Sequence, residues 1–335
     1  MNIIEISNRF PTERDCIRHA EHVRWNGKPK CVYCGGTDLR RDESGGRYRL
    51  HCRDCKRSFA VTVNTLLHDT RTPLKTWFMA FSLISDAKKG ISAMQLQRNL
   101  NISYPTAWQM YVTIRQIMDE SNIDYQKHYP LKNIVEMDDT FTGGKPRKFA
   151  TGKNHPPKKP ISIPELDERI SELKEQGITF KRGKGNPAKS ALYPKRGRGT
   201  NRPNIVGIVE REGDVVAEVM GKLGYQNLKK MVEKYVDKNN AVLVTDEAKD
   251  YSQMNTIIEH LKINHTKLYS YKGVNTNSIE SFWAIIKRQI IGQHHHVSVK
   301  HLPEYVAEVV FKYNNRNDDY YMFDILLLEA LGTVK

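Results

Sequence analysis

Carboxylates accompany apolar segments at three places after residue 132. Residues 133–139 and 241–246 each read as a short buried strand that ends in acid, with Asp138 and Asp246 at the carboxyl ends. Glu280 lies beside an apolar stripe near the start of a helix predicted over residues 277–288. Carboxylate oxygens without histidine or cysteine select Mg²⁺ or Mn²⁺, and two such ions activate water or a 3′-hydroxyl against a phosphodiester. These three acids are the candidate catalytic and magnesium-binding residues.

Basic and aromatic side chains accompany the third acid. Lys287 follows Glu280 by two helical turns and shares its face, so it is a candidate to hold a phosphate with the adjacent Arg288. Trp283 is expected in the core or as a wall of the acidic site. Each acid alone has a simpler structural interpretation, since Glu280 also completes a capping box with Asn277 and aspartates often end strands as turn formers. The order strand–Asp, hairpin, helix, strand–Asp, helix–Glu favours the catalytic interpretation.

Four cysteines in the first sixty residues form a C-x₂-C-x₁₇-C-x₂-C pattern. Two residues between cysteines let both thiolates of a tight turn face one ion, and a second pair completes tetrahedral sulfur coordination typical of Zn²⁺. All four ligands are sulfur, so the predicted zinc is structural. The ligands are Cys31, Cys34, Cys52 and Cys55. Cys16 shares a helical face with apolar residues and is expected to be a buried small hydrophobe.

Helical periodicity dominates residues 74–118. Ser92 and Ser103 each precede an apolar-periodic segment and are predicted N-caps, with a short turn between the two helices. A short helix, a tight turn and a second helix with polar residues at its start is the helix-turn-helix plan, although an ordinary three-helix bundle has the same spacing. The residues expected to face DNA are Tyr104, Thr106 and Gln109.

The chain of 335 residues carries a net charge of +15 and has a pI near 9.4, which favours a polyanionic partner. Residues 145–203 hold 16 lysines and arginines against 5 acids, and they are rich in proline and glycine. This basic insertion is predicted to be a phosphate-tracking arm, with a solubilising linker as the alternative and one helix within residues 163–173. The candidate DNA contacts in it are Lys195, Arg196 and Arg198.

Several classes of protein are disfavoured by composition. No apolar run approaches the length of a membrane helix, and the N-terminus lacks the features of a signal peptide. Five cysteines do not make a disulfide scaffold. We therefore expect a cytoplasmic protein that binds no membrane.

Taken together, these motifs resemble the bacterial insertion-sequence DDE transposases of the zinc-ribbon group, which are related to the eukaryotic Merlin elements. The segment Met-Asp-Asp-Thr-Phe-Thr-Gly-Gly at 137–144 is similar to the first catalytic block, with Asp139 where glutamate is usual. Thr-Asp-Glu at 245–247 resembles the second block, and residues 275–288 resemble the third, with Asn275 where histidine is frequent. The cysteine pairs and residues 77–108 resemble the DNA-binding half of that family, and residues 292–316 continue its C-terminal pattern.

The resemblance implies a multidomain architecture. A zinc ribbon over residues 1–70 and a helix-turn-helix over 71–125 would precede an α/β RNase H-like catalytic domain with a mixed sheet over 126–335, interrupted by the basic insertion at about 145–203. It implies an enzyme that binds the terminal inverted repeats of an insertion sequence, cleaves by Mg²⁺-dependent hydrolysis and joins the 3′-OH end to target DNA. The partner is then double-stranded DNA, bound by a homodimer or larger assembly.

Other interpretations fit part of the pattern. A domesticated, catalytically inactive transposase acting as a DNA-binding regulator would explain the ribbon, the helix-turn-helix and the charge equally well. A recombinase that uses a tyrosine nucleophile would leave protein linked to DNA. A nuclease without joining activity would differ only in the second step.

Overall fold

The computed structural model describes residues 1–43, 48–141, 171, 175, 203–221, 223–246, 248–263, 275–317 and 321–332. Apart from residues 171, 175 and 203, the basic insertion, with Lys195, Arg196 and Arg198, lies outside these residues. Of the segment 163–173, where a helix is expected, only Ser171 is described, and it is helical. Over the described ranges, none of the helices has the length and apolar character needed to cross a membrane.

The first half of the chain is helical apart from the cysteine region. The caps form as the sequence predicts: Ser92 Oγ accepts from the Gln95 amide at 3.1 Å and Ser103 Oγ from the Thr106 amide at 3.3 Å. Asn101 adopts the left-handed conformation at the end of the first of these two helices and makes the tight turn. The helices are α1 (Ile3–Arg9), α2 (Glu13–Trp25), α3 (Leu74–Asp86), α4 (Ala93–Leu100) and α5 (Tyr104–His128).

A small antiparallel sheet carries the second pair of cysteines. Its strands, in spatial order, are β1 (Leu39–Asp42), β2 (Arg49–Cys52) and β3 (Ser58–Phe59). Leu50 and Phe59 are buried beneath the cysteines, and the Phe59 ring meets the ring of Trp25 edge-on at 6.2 Å. This contact joins the sheet to the end of α2.

A mixed five-stranded sheet forms the second half of the chain. Its strands are β4 (Leu131–Phe141), β5 (Asn204–Glu210), β6 (Val215–Met220), β7 (Val236–Asp246) and β8 (Glu259–Ile263), in the spatial order β6-β5-β4-β7-β8. The hairpin strands β5 and β6 are antiparallel to their neighbours, whereas β4, β7 and β8 run parallel. The carboxyl ends of β4 and β7 therefore meet at one edge of the sheet.

Helices cover both faces of this sheet. Helix α6 (Tyr225–Tyr235) packs on one face, and α7 (Asn277–Lys287) and α8 (Leu302–Asn314) pack on the other. Strand alternation assigns Val135 and Met137 to the α6 face and turns Glu136 and Asp138 toward α7.

The final helix returns to the first half of the chain. Helix α9 (Met322–Leu331) lies in the same apolar core as α1, α2, α3 and α5. The Phe323 ring contacts the rings of Phe78 at 5.4 Å and Phe81 at 6.4 Å. Helices α5 and α8 are further joined by a buried ion pair between Arg115 Nε and Glu308 Oε2 at 2.8 Å. The helical half and the sheet half thus share a buried interface.

One boundary differs from expectation. The helix expected over residues 224–238 ends at Tyr235, and β7 begins at Val236 rather than at residue 241. Val236 pairs with Leu131 at the start of β4, so the sheet captures five residues whose polar composition gives no strand signal.

Candidate active site and cysteine metal centre

The two strand-end aspartates are brought side by side. The parallel register of β4 and β7 pairs Val135 with Leu243 and Glu136 with Val244. Asp138 and Asp246 each lie two residues beyond the last of these pairs, at the same edge of the sheet, and the charge of Asp246 is close enough to raise the pKa of Asp138. The Asp246 carboxylate accepts from the Ala248 amide at 3.0 Å, a local bond just after the end of the strand.

Trp283 links the first aspartate to the helix that carries Glu280. Its indole Nε1 donates to Asp138 Oδ2 at 3.0 Å, and the indole is buried against β5. The strand makes room for it with Gly207, where an added Cβ would come within 2.7 Å of Trp283 Cη2. The expectation that Trp283 walls the acidic site agrees with this geometry.

The environment of Asp138 opposes its negative charge. Burial, together with the neighbouring carboxylates of Asp139 and Asp246, raises the pKa of Asp138 to about 6, although the Trp283 hydrogen bond works in the other direction. Adjacent half-buried carboxylates that repel one another are an arrangement that a bound cation relieves, because it supplies the missing positive charge.

Glu280 lies in the exposed first turn of α7, one turn before Trp283. It forms no capping box, since Thr276 at the N-cap makes no side-chain cap bond. Its carboxylate, Asp138 and Asp246 are not all within 4.8 Å of one another; in the part of the chain that the structure describes, only the four cysteines form such a group. The fold thus brings the two aspartates together and places Glu280 on the adjoining helix.

The remaining residues of the predicted site fall into two groups. Asp139 faces the opposite side of the sheet, where the Tyr251 hydroxyl donates to its Oδ1 at 3.2 Å. Lys287 and Arg288 are exposed at the end of α7. The two bases are therefore open to solvent on the helix that carries Glu280, as a phosphate contact requires.

The four cysteine sulfurs lie within 4.8 Å of one another. Cys31 and Cys55 are 3.6 Å apart between sulfurs, and Cys34 and Cys52 are also 3.6 Å apart. A tetrahedral zinc with bonds of about 2.3 Å separates its sulfur ligands by about 3.8 Å, so this donor set fits Zn²⁺. Cys16 is separate and fully buried, and burial raises the pKa of its thiol to about 12, which makes it unreactive.

The helix-turn-helix residues lie at the start of α5. Tyr104 and Gln109 are exposed, whereas Thr106 is half-buried and its hydroxyl is 2.8 Å from Ser103 Oγ. Thr106 and Gln109 line a cleft of about 460 Å³ together with Arg71 of the preceding linker. Arg71 gave no sequence signal, because its position beside α5 depends on the packing of the linker.

Three consecutive histidines, at positions 294–296, follow the helical segment that carries Lys287 and Arg288, and the first of them is the most buried. His294 is half-buried with its ring 4.7 Å from that of Tyr305, whereas His295 and His296 are exposed. Burial and the positive charge of Arg115 lower the pKa of His294 to about 4, so it is neutral at physiological pH.

Glu136 and Arg211 were not predicted from the sequence to belong to the site. Glu136 is completely buried two residues before Asp138, and its carboxylate binds Arg211 and the first turn of α7. The one local signal was a charged residue inside an otherwise apolar strand, which by itself does not identify a partner.

Parts of this chain are similar to known proteins. Residues 173–314 match the ISXO2-like transposase domain, a range that contains Asp246 and Glu280 but not Asp138. A protein described as an uncharacterized protein in transposable element ISH50 of Halobacterium salinarum is 24% identical over 136 residues. That alignment spans 39% of this chain and 42% of the relative.

Solved structures give a weaker likeness. A pre-cleavage Mos1 transpososome is 10% identical, covers 77% of this chain and 79% of its own, and has a TM-score of 0.27. A Mos1 strand transfer complex is 9% identical over 77% of this chain and 78% of its own, with a TM-score of 0.26. At such scores the superposition carries no argument. The likeness to a known family is therefore the match of residues 173–314 to the ISXO2-like transposase domain, which covers less than half of the chain.

Proposed function

We propose that this protein is a DNA transposase whose catalytic carboxylates are Asp138, Asp246 and Glu280. The observation that carries the proposal is the parallel register of β4 and β7, which supports Asp138 and Asp246 at one edge of the sheet, next to the helix that bears Glu280. The family match over residues 173–314 supports the same activity. The strand order β6-β5-β4-β7-β8, with an antiparallel hairpin at one edge, supports an RNase H-like catalytic domain.

The donor set determines which cofactor the site would take. Three carboxylates without histidine or cysteine favour Mg²⁺ or Mn²⁺. When bound, such ions activate water or a 3′-hydroxyl and stabilise the leaving oxygen of a phosphodiester. Asp138 is held in place by the Trp283 indole, so little rearrangement of this ligand is needed. Lys287 and Arg288, exposed on the same helix, are positioned to bind the phosphates that flank the scissile bond.

The first half of the chain is the proposed DNA-recognition region. We infer that a zinc ion held by the four cysteines keeps the ribbon folded and takes no part in the chemistry. Tyr104 and Gln109, exposed at the start of α5, would contact the terminal repeats, and the basic insertion would follow the phosphate backbone. Joining two ends requires two copies of the site, so the active form is expected to be at least a dimer.

The test is incubation of the full-length protein with a labelled duplex that carries the element's ends, in Mg²⁺ or in EDTA, with the 3′ ends mapped. Asp246→Asn should reduce cleavage and joining to the EDTA level. Asp237→Asn is the matched control, because Asp237 lies in the same strand but is only half-buried and bonds locally to Asn239 and Asn240.

The products also separate the alternatives. Binding of the duplex without Mg²⁺-dependent cleavage would identify a DNA-binding regulator. Cleavage without joined products would identify a nuclease, and protein that stays attached to DNA on a denaturing gel would identify a covalent recombinase. Wild-type rates of cleavage and joining by Asp246→Asn would refute the proposed site.

A further inference from the structure

Glu136 is a buried charge in the strand that carries Asp138. Its side chain has no exposed surface. Burying a carboxylate costs several kcal/mol unless its oxygens are paired, so its contacts identify what it holds. Glu136 and Asp138 lie on the same face of β4, about 7 Å apart along the strand.

Both oxygens of Glu136 are bound. Oε2 accepts from the backbone amides of Ser278 at 2.8 Å and Ile279 at 3.0 Å, in the first turn of α7. Helix N-termini leave such amides without partners inside the helix, and they carry a partial positive charge. Since Thr276 makes no side-chain cap bond, Glu136 caps this helix from the sheet.

Arg211 completes the arrangement from the turn between β5 and β6. Its Nε donates to Glu136 Oε1 at 2.7 Å, and Nη2 donates to the backbone carbonyl of Asn275 at 2.8 Å. Its own backbone amide donates to the Ile134 carbonyl at 3.0 Å. One side chain thus joins β4, the hairpin turn and the residue that leads into α7.

Helix α7 is consequently attached to β4 at two points. Glu136 binds its start at Ser278 and Ile279, and Asp138 binds Trp283 one turn later. Glu280 lies between the two attachments. We propose that Glu136 and Arg211 are positioning residues that fix the start of α7, and through it the carboxylate of Glu280 relative to Asp138. This inference rests on the proposed function, since it assigns these residues to the same metal site.

The experiment compares Glu136→Gln, Glu136→Ala and Arg211→Met in the full-length chain. The Gln variant keeps an acceptor for the helix amides but loses the charge, so its effect should fall between those of wild type and Ala. The matched control is Glu218→Gln, which removes a glutamate–lysine pair at 3.0 Å on the same sheet, away from α7. Urea unfolding and binding of the end duplex serve as checks on folding.

The first readout is Tb³⁺ luminescence excited through tryptophan, which reports a carboxylate metal site without catalysis. The second is the Mn²⁺ concentration that half-saturates cleavage. In Glu136→Ala and Arg211→Met we expect the Tb³⁺ dissociation constant and the half-saturating Mn²⁺ concentration each to rise roughly 10- to 100-fold, as when groups that orient metal ligands are removed. DNA binding should be unchanged in every variant, and Glu218→Gln should match wild type.

A double-mutant cycle separates positioning from general structural damage. In a Glu280→Gln background the ligand to be positioned is absent, so Glu136→Gln should cause no further weakening of Tb³⁺ binding. Equal weakening in both backgrounds, or wild-type metal dependence in Glu136→Gln and Arg211→Met, would overturn the proposal. If Glu136→Ala fails to fold, Glu136→Gln and Arg211→Met still test the positioning role. A wild-type protein that binds Tb³⁺ but does not cleave would refute the proposed function, and the cycle would still test the positioning role.

Discussion

Replacing Gly207 by alanine tests whether α7 is packed against the sheet as closely as the site requires. Gly207 pairs with Asp138 across β4 and β5. A Cβ there would lie 2.7 Å from Trp283 Cη2 and 3.0 Å from Ile279 Cδ1, whereas carbon atoms in contact prefer about 3.5–4 Å. Both obstructing side chains belong to α7, so the helix must withdraw by about 1 Å or the strand must bend.

The structure sets the size of the expected effect. Overpacking of a buried position costs about 1–3 kcal/mol, so we expect Gly207→Ala to lower the free energy of unfolding by about 2 kcal/mol. A displacement of about 1 Å in a catalytic group costs up to about a hundredfold in rate. Because Glu280 lies between Ile279 and Trp283, cleavage should fall in Gly207→Ala even where the protein is fully folded.

The assay is urea unfolding followed by fluorescence, combined with the end-cleavage reaction. Gly221→Ala is the control, because among the described residues beyond its chain neighbours no atom lies within 4 Å of the added Cβ. This variant should leave stability unchanged or raise it by about 0.4–1 kcal/mol. Trp283→Phe removes the nearest obstructing atoms, so the double variant with Gly207→Ala should be less destabilised than the sum of the single changes. Additive effects, or a Gly207→Ala protein as stable as wild type, would refute the packing argument.

Three further outcomes follow from other parts of the chain. Chelation of zinc, or Cys52→Ser, should unfold the ribbon and abolish binding of the end duplex, and metal analysis of the purified protein should find one zinc per chain; a zinc-free protein with a folded ribbon would contradict this. The pKa of His294 is depressed to about 4, so its contribution to stability is present above its ordinary pKa of about 6.5 and is lost as the pH falls from 6.5 to 4. After allowance for partial exposure, the free energy of unfolding should fall by about 2 kcal/mol over this range. In urea unfolding at several pH values, His294→Gln should remove this pH dependence of the free energy of unfolding, and His296→Gln, at an exposed position, should keep it. Arg115→Met leaves the fully buried Glu308 without one of its two cationic partners and should lower the free energy of unfolding by about 3 kcal/mol or more, a loss that chemical denaturation would detect and that an unchanged midpoint would contradict.

Local sequence determined most of the elements. The helices after Ser92 and Ser103 begin where a capping hydroxyl precedes an apolar period, and the hairpin of β5 and β6 follows two β-branched runs around a glycine-containing turn. The cysteine spacing was sufficient to predict a group with zinc geometry. These predictions succeed because caps, periodicity and knuckle spacing act over a few residues, and that range is contained in the sequence itself.

Elements stabilised by distant partners had no comparable signal. Strand β8 is polar and mostly exposed, and it exists because β7 offers a parallel edge for pairing. Helix α9 is apolar, but its place in the core of the first half of the chain, against Phe78 and Phe81, depends on residues more than two hundred positions away. The early start of β7 at Val236 has the same cause, since its partner is Leu131 in another strand.

The candidate site likewise has one part that the local sequence predicts and another part that depends on tertiary packing. The sequence by itself marked Asp138 and Asp246 as strand-end acids and Glu280 as an acid near a helix start, because apolar periodicity defines where each element ends. Only the tertiary structure decided that the two aspartates are neighbours, that Trp283 binds the first of them, and that the buried Glu136 caps α7. Glu136 and Ser278 are 142 positions apart, and a charge buried in a strand finds its compensating amides only when the sheet and the helix have packed together.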